Sequence, residues 1–314
     1  MASERGYPPY MVERYLRLLG SSTEVAEFLE SVERGIPKTI RCNTLAIDDC
    51  AELKERLERR GVTLEKIRWL PHGYRVLSGV DVIGRLEEHI YGLYYIQGPG
   101  SMAASYVLDP RRNSLVADLA AAPGGKTTHL AQLMENTGAI LSVDKSRARI
   151  RALISNVQRM RATNVVVLLE NMLKLRGLDG LFDKVLLDAP CSGEGLLPVK
   201  EERRYVRTLL DLAKMSSLQV RMLEKAVELA RDGGHVLYAT CSIGIEENEL
   251  VIHHVLERRE DLEVLDSRLN GVGEAGVTEY GRARLRDELR RCSRLYPHIH
   301  STEGFFLCLL RKRS

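Results

Sequence analysis

The chain has 314 residues, of which 44% are hydrophobic and 28% charged, with a net charge of +3. That is the make-up of a soluble globular protein with one large domain or two smaller ones, not of a disordered chain. No apolar run approaches the ~18 residues that span a bilayer, and the opening MASERGYPPYMVERYLRL mixes acids and bases without an apolar stretch, which argues against a secretory signal.

In chain order, the first thirty residues carry helical patterns and Pro37 interrupts them. Thr39 to Leu45 reads as a strand, and Cys50 to Arg60 as a helix stopped by Gly61, a good residue for a left-handed helix end. Val62–Leu64 and Tyr74–Leu77 are short strand candidates; the turn-rich Gln97–Ser101 precedes a short helix, and Asp109-Pro110 marks a boundary. These features make residues 1–110 an α+β region. From 111 to 314 apolar strands alternate with amphipathic helices: strands at Leu115–Ala120, Gly138–Asp144, Val165–Leu169, Phe182–Asp188 and His235–Thr240, with helices at Lys126–Met134, after Ser146, through Leu218–Leu229, and at Glu246–Arg258. Gly233-Gly234 is expected to end the third of these helices. In the helix after Ser146, Ile150, Leu153, Ile154 and Val157 fall at i, i+3, i+4, i+7, and Ser146 suits its N-cap. Such alternation predicts an α/β fold with a parallel sheet, whose ligands bind outside the carboxyl ends of the strands.

Charge and cysteine usage narrow the field. A net charge of +3 does not announce a nucleic-acid binder. The dense run Arg282, Arg284, Arg286, Arg290, Arg291, Arg294, with Arg311, Lys312 and Arg313 at the end, offers arginine forks for phosphate, or simply a solvated face. Six cysteines (42, 50, 191, 241, 292, 308) lack CxxC spacing, so no metal cluster is expected. Without an export signal, all six read as thiols in a reducing, cytoplasmic compartment.

Two sites stand out at strand ends. The first is Ala120-Ala121-Ala122-Pro123-Gly124-Gly125-Lys126-Thr127, between a strand and a helix, where glycines let a ligand approach the backbone. Asp144 ends the next strand 19 residues beyond Gly125, where an acid can accept both hydroxyls of a ribose. Glu170-Asn171 follows the third strand, where an adenine is read. This layout suits an adenosine-containing cofactor. A phosphate-binding loop, GxxxxGK[ST], would need glycine where Ala120 stands, and Pro123-Gly124-Gly125 does not supply the GxGxxG of a dinucleotide oxidoreductase. The second site joins Asp188-Ala189-Pro190-Cys191-Ser192-Gly193 to Thr240-Cys241-Ser242. Two thiols and a carboxylate suit methylation at pyrimidine carbon 5. A thiolate adding to carbon 6 makes carbon 5 nucleophilic, an acid assists at N3 or the exocyclic amine, and a second thiol serves release.

These residues resemble the Sun family of S-adenosylmethionine-dependent RNA cytosine-C5 methyltransferases. The resemblance rests on Asp118 to Thr127, Asp188 to Gly193, Thr240-Cys241-Ser242, and Glu303-Gly304-Phe305-Phe306 preceded by Leu295-Tyr296-Pro297-His298. Upstream, Arg41 to Leu45 and Tyr95-Ile96-Gln97 with Ser101 are similar to the family's N-terminal module and the segment entering its catalytic domain. The resemblance implies a Rossmann-like methyltransferase with a seven-stranded, mostly parallel sheet, plus a small N-terminal α+β RNA-binding domain. It also implies roles. Cys241 is the nucleophile and Cys191 the thiol of product release, whereas DNA cytosine methyltransferases attack with the cysteine of the earlier motif. Lys126 and Asp188 sit near the target base. S-adenosylmethionine is held by Ala120 to Lys126, Asp144, Arg149, Asn171 and Asp188. Asn171 stands where the family usually has aspartate. The added RNA-binding module called PUA, frequent in the family, has no segment here. The expected substrate is tRNA rather than rRNA, the expected enzyme a monomer with no membrane partner, and the rival class a non-catalytic RNA assembly factor.

Overall fold

The computed structural model describes residues 7–199 and 208–313. Elements are labelled in chain order. The chain divides into two compact units, one of Pro37–Asp188 with Lys225–Leu237, the other of Met1–Ile36, Ala189–Glu224 and Tyr238–Ser314.

The first unit opens with an antiparallel sheet. Its strands β1 (Thr39–Cys42), β2 (Leu64–Lys66), β3 (Gly73–Val76) and β4 (Tyr94–Ile96) lie in the order β2-β3-β1-β4. Helix α3 (Cys50–Arg59) is capped by Asp49, whose side chain accepts the Ala51 N–H, and Gly61 follows at φ +80° as its sequence position predicts. Leu53, Leu57, Val62, Leu64 and Tyr94 form the core of this part, and the short α4 (Glu87–Ile90) precedes β4. Helix α5 (Pro99–Leu108) starts inside the turn-rich segment, because Pro99 fits the first helical position, where its missing N–H costs nothing. Then come β5 (Leu115–Asp118), α6 (Gly125–Leu133), β6 (Ala139–Asp144), α7 (Arg147–Arg159), β7 (Val165–Leu169) and β8 (Phe182–Asp188). The strands pair in parallel in the order β8-β5-β6-β7. Ser146 caps α7 by accepting the Arg149 N–H. Central strand residues Val116, Ala117, Ile140 and Val185 are fully buried, so hydrophobic burial fixes this register. Asp118, Asp144 and Asp188 are the last residues of β5, β6 and β8.

The second unit begins with α1 (Pro9–Leu19) and α2 (Ser22–Arg34), the latter capped by Ser21. Helix α8 (Leu209–Leu229) and β9 (Ala230–Thr240) each run from one unit into the other. After β9 come α9 (Glu249–Leu256), β10 (Leu262–Leu265), β11 (Glu274–Ala275), β12 (Glu279–Tyr280), β13 (Ala283–Arg284), β14 (Ser293–Leu295), α10 (Pro297–His300) and β15 (Phe305–Lys312). β15 pairs antiparallel with β10 and β14, and β14 with β11. The seven strands that the resemblance implies are β5 to β9, β14 and β15, with β10 and β11 added to the antiparallel set. The fold is α/β as expected.

Three expectations change. The helix expected over 246–258 starts at Glu249, because Asn248 takes φ −117° and ψ −101° while its side chain bonds Thr240 Oγ1 and Ser242 O. Gly233-Gly234 does not end α8; the helix stops at Leu229 and the glycines lie within β9. Four of the six cysteines are not thiols: Cys42 is joined to Cys50 and Cys292 to Cys308. Sequence spacing hid both bonds. Cys42 ends β1 and Cys50 opens α3, with Cα atoms 6.0 Å apart; Cys292 precedes β14 and Cys308 sits on β15, with Cα atoms 4.5 Å apart. Each pair meets only through the fold, at separations a disulfide can span.

Candidate active site

In the first unit, a cavity of about 240 Å³ opens at the carboxyl ends of β5 and β8. The sequence motif contributes Ala120, Ala121, Ala122, Pro123, Gly125 and Lys126 to its wall; Asp118 and Asp188 contribute carboxylates; Tyr95 to Gly98 and Ser101 close another side. The turn from β5 into α6 is tight. Gly124 takes φ +103°, and a Cβ there would meet Leu153 Cδ1 at 2.9 Å, so the turn requires glycine. Lys126 Nζ donates to Asp188 Oδ2 at 2.7 Å, which orients that carboxylate at the cavity edge. Asp144 is buried and works on the turn: Oδ2 accepts the Ala122 N–H at 3.2 Å and Oδ1 the Ser146 N–H at 2.8 Å. Arg149 donates to Ala122 O and lies 3.6 Å from Asp144. Gly124, Asp144 and Arg149 therefore support the wall without lining it. Asn171 lies outside the lining, and its Oδ1 accepts the Leu173 N–H at 3.1 Å.

Asp118 is a site residue that sequence reasoning left out. It is 1% exposed and lines the cavity. Oδ2 accepts from Thr127 Oγ1 at 2.6 Å, while Oδ1 is buried without a hydrogen-bond partner among the described residues. Burial pushes its carboxyl up to about 6, with the charge of Asp188 adding to the rise and the Thr127 hydrogen bond opposing it. Asp118 ends β5 as Asp144 ends β6 and Asp188 ends β8, but the strand expected from sequence runs on to Ala120 and so places Asp118 inside it. Arg41, quoted only as part of a motif, is fully buried behind the same turn, donating to Gln97 Oε1, Gly125 O and Thr128 Oγ1. Burial drives its pKa down to about 9, against the pull of Tyr95 and Tyr106 and with the charge of Arg159 adding to the fall.

In the second unit, Cys191 and Cys241 come together. Their sulfurs are 3.2 Å apart and not bonded in a disulfide. Cys241 follows the end of β9, and Cys191 lies in the loop that follows β8. Gly195 N donates to Cys241 O at 2.9 Å, and Gly304 N to Gly195 O at 2.8 Å. A Cβ on Gly195 would meet Gly304 O at 2.0 Å and Cys241 O at 2.8 Å, so the two thiol loops touch through backbone alone there. Buried Glu247 accepts the Ser192 N–H at 2.7 Å and is also held by Gln219 Nε2 at 3.2 Å.

The basic run is only partly taken up by the fold: Arg294 alone forms a buried pair, and the pairs of Arg284 and Arg286 are exposed. Arg294 is buried and paired with Glu249, Arg286 pairs with Glu288, Arg291 donates to Val264 O, and Arg284 lies 3.8 Å from Asp287. Four of its six arginines thus have intramolecular partners rather than facing phosphate alone.

A family model described as 16S rRNA methyltransferase RsmB/F matches residues 105–311. The chain belongs to this RsmB/F family of methyltransferases. Its earlier part, residues 7–99, matches the N-terminal domain of 16S rRNA methyltransferase RsmF, and the relatives of the RsmB/F chain are those of the Sun family its motifs resemble. The 25S rRNA (cytosine-C(5))-methyltransferase of Schizosaccharomyces pombe is 35% identical over 98% of this chain, which spans about half (51%) of that protein. The tRNA (cytosine(49)-C(5))-methyltransferase of Pyrococcus abyssi is 33% identical over 96% of this chain and 95% of its own length. A solved methyltransferase homolog from Pyrococcus horikoshii superposes with a TM-score of 0.89 at 36% identity, covering 99% of this chain and 97% of that one.

Proposed function

We propose that this RsmB/F chain transfers a methyl group from S-adenosylmethionine to carbon 5 of cytosine in RNA, with tRNA as the substrate. The observation that carries the reading is the pair of thiols 3.2 Å apart that no disulfide joins, in a chain whose other four cysteines are bonded. The match to a tRNA enzyme supports the substrate: in that relative the region shared with this chain is 95% of the protein, so the shared region is nearly all that acts there on tRNA.

The cavity residues fit the cofactor. Asp118 Oδ1 is a buried acceptor with no hydrogen-bond partner among the described residues, Gly125 lines the cavity where a Cβ would press on Tyr95 at 3.2 Å, and Asp144 and Arg149 brace the turn; Asn171 is assigned the adenine. When bound, S-adenosylmethionine supplies the electrophilic methyl. Cys241 Sγ, as thiolate, bonds to cytosine carbon 6 and makes carbon 5 nucleophilic. Asp188, oriented by Lys126, serves at N3 or the exocyclic amine as the ring gains charge. Cys191 serves release: its thiolate takes the carbon 5 proton, the electrons of that bond restore the 5,6 double bond, and the carbon 6–sulfur bond breaks so that Cys241 departs as thiolate. The target base must leave its stack to reach Cys241. Residues 1–110 contribute RNA binding and 111–314 catalysis, in a cytoplasmic enzyme acting as a monomer, since both thiols come from one chain.

The test is incubation with labelled S-adenosylmethionine and either unmodified tRNA transcripts or ribosomal subunits, followed by nucleoside analysis. Labelled 5-methylcytidine in tRNA is expected. Label confined to ribosomal RNA would replace the substrate, a reading that the relative from Schizosaccharomyces pombe favours. No product on either RNA, with cofactor still bound, would make the chain an RNA assembly factor.

A further inference from the structure

We infer that Arg14, on helix α1 and outside the residues 105–311 matched by the methyltransferase model, is a positioning residue that clamps the two thiol-bearing loops at their working separation. The inference rests on the roles proposed for Cys191 and Cys241.

The clamp is a fork with two carboxylates. Arg14 Nη1 donates to Glu194 Oε1 at 2.7 Å; Nε and Nη2 donate to Glu246 Oε1 and Oε2 at 3.0 and 2.6 Å. Glu194 lies three residues beyond Cys191, and Glu246 five beyond Cys241. One guanidinium therefore spans both loops, with bidentate geometry toward one of them. The side chains of Arg14 and Glu194 are only 9% and 5% exposed, so their attraction is poorly screened by water. Burial alone would lower the Arg14 pKa, yet the hydrogen bonds and charges of Glu246 and Glu194 outweigh it. Gly244 completes the fit, since a Cβ there would meet Arg14 Nη2 at 2.5 Å. The helix is anchored at the same place: Met11, Val12 and Tyr15 share a core with Leu197 of the first loop and Ile243 of the second.

The geometry separates this role from mere stability. The loops already touch through Gly195 and through Glu247, both near the thiols. Those bonds set a contact near the thiols; farther out the loops are held by the apolar core of Leu197 and Ile243 and by the Arg14 fork. Arg14 ties the far sides, so losing it lets the loops rotate about the Gly195 contact and the sulfurs part. Displacements near 1 Å at a reacting group cost about a hundredfold in rate.

The test uses the full chain. Arg14→Met alone strands the buried Glu194 carboxylate and the half-buried Glu246 carboxylate and can fail to fold. The companion variant Arg14→Met/Glu194→Gln/Glu246→Gln removes the clamp and the buried charge together, and Arg14→Lys keeps the charge but not the fork. Each is treated with diamide, which takes two protons and two electrons from a pair of thiols, and the Cys191–Cys241 bond is timed by peptide mapping. Single-turnover methylation and cofactor Kd are measured alongside. The triple variant is expected to cross-link about tenfold more slowly and to lose about a hundredfold in rate with cofactor Kd within about twofold, and Arg14→Lys to fall between. A folded triple variant that cross-links as fast as the parent overturns the inference, whatever its methylation rate. Cross-linking needs neither RNA nor cofactor. A parent that does not methylate would therefore refute the proposed reaction and leave the clamp to be judged by cross-linking alone.

Discussion

The cofactor cradle and the thiol loops are built on opposite plans. The cradle comes mostly from one continuous stretch, Asp118 to Lys126, where a strand turns into a helix. The thiol loops are fifty residues apart in sequence and are held by side chains from elsewhere: Arg14 on α1, Gln219 on α8, and Glu247 before α9. A ligand that must be gripped along its length is served by local backbone, which a turn and a glycine fix cheaply. Two sulfurs proposed to act in sequence on one base need a set distance, and contacts between parts of the chain far apart in sequence fix the distance between separate loops. The other cysteine pairs show the third possibility, separation fixed by a bond, which would remove the thiolate that attack requires.

The comparison breaks first at Cys241. Cys241→Ala is expected to abolish 5-methylcytidine formation, at least about ten-thousandfold, because carbon 5 is then never activated; residual turnover within tenfold of the parent would show that the loops are not the reaction centre. Cys191→Ala should instead accumulate a denaturation-resistant protein–RNA adduct, seen as a shifted gel band that carries label. If the adduct forms with Cys241→Ala and not with Cys191→Ala, the two thiols have exchanged roles. Arg14 comes next, with the hundredfold loss of rate described above.

On the cradle side, Asp118→Asn is expected to weaken cofactor binding about tenfold, since a charged acceptor becomes a neutral one. Asp118 also gives the cradle a pH signature. Its folded pKa is about 6 against 3.8 for the ordinary carboxyl. It is therefore ionised above about pH 6 and protonated below. Titrated by calorimetry, cofactor affinity should fall as pH drops through that value, and Asp118→Asn should flatten this dependence. Stability carries the opposite sign. Because the folded pKa is raised, the Asp118 contribution is fully present below pH 3.8 and is lost as pH rises through about 6. The smallest effect expected is that of Cys42→Ser/Cys50→Ser. Opening the eight-residue separation should lower stability by about 2 kcal/mol in urea unfolding and leave kcat unchanged.

The sequence by itself determined the class of fold and pointed to the strand ends as the place to look for a site. Apolar strands alternating with helices demand a parallel sheet, and side chains at strand ends gather at one edge, so the position of Ala120 to Lys126, Asp144 and Asp188 at that edge was legible from the strand–helix alternation. Gly61 and Ser146 were legible for the same reason: a helix end and a cap are satisfied by neighbours in the chain. The disulfides, the unexpected start of α9 and the fate of the basic run were not. Cys42 meets Cys50 only because β1 and α3 pack together, Asn248 leaves the helix to bond the Cys241 loop, and Arg294 is buried by finding Glu249 45 residues away. Arg14 is the plainest case. An arginine in an amphipathic helix looks like any solvated one, and only the tertiary structure brings Glu194 and Glu246 to its fork, because a buried charge is tolerated only where distant parts of the chain supply its partners.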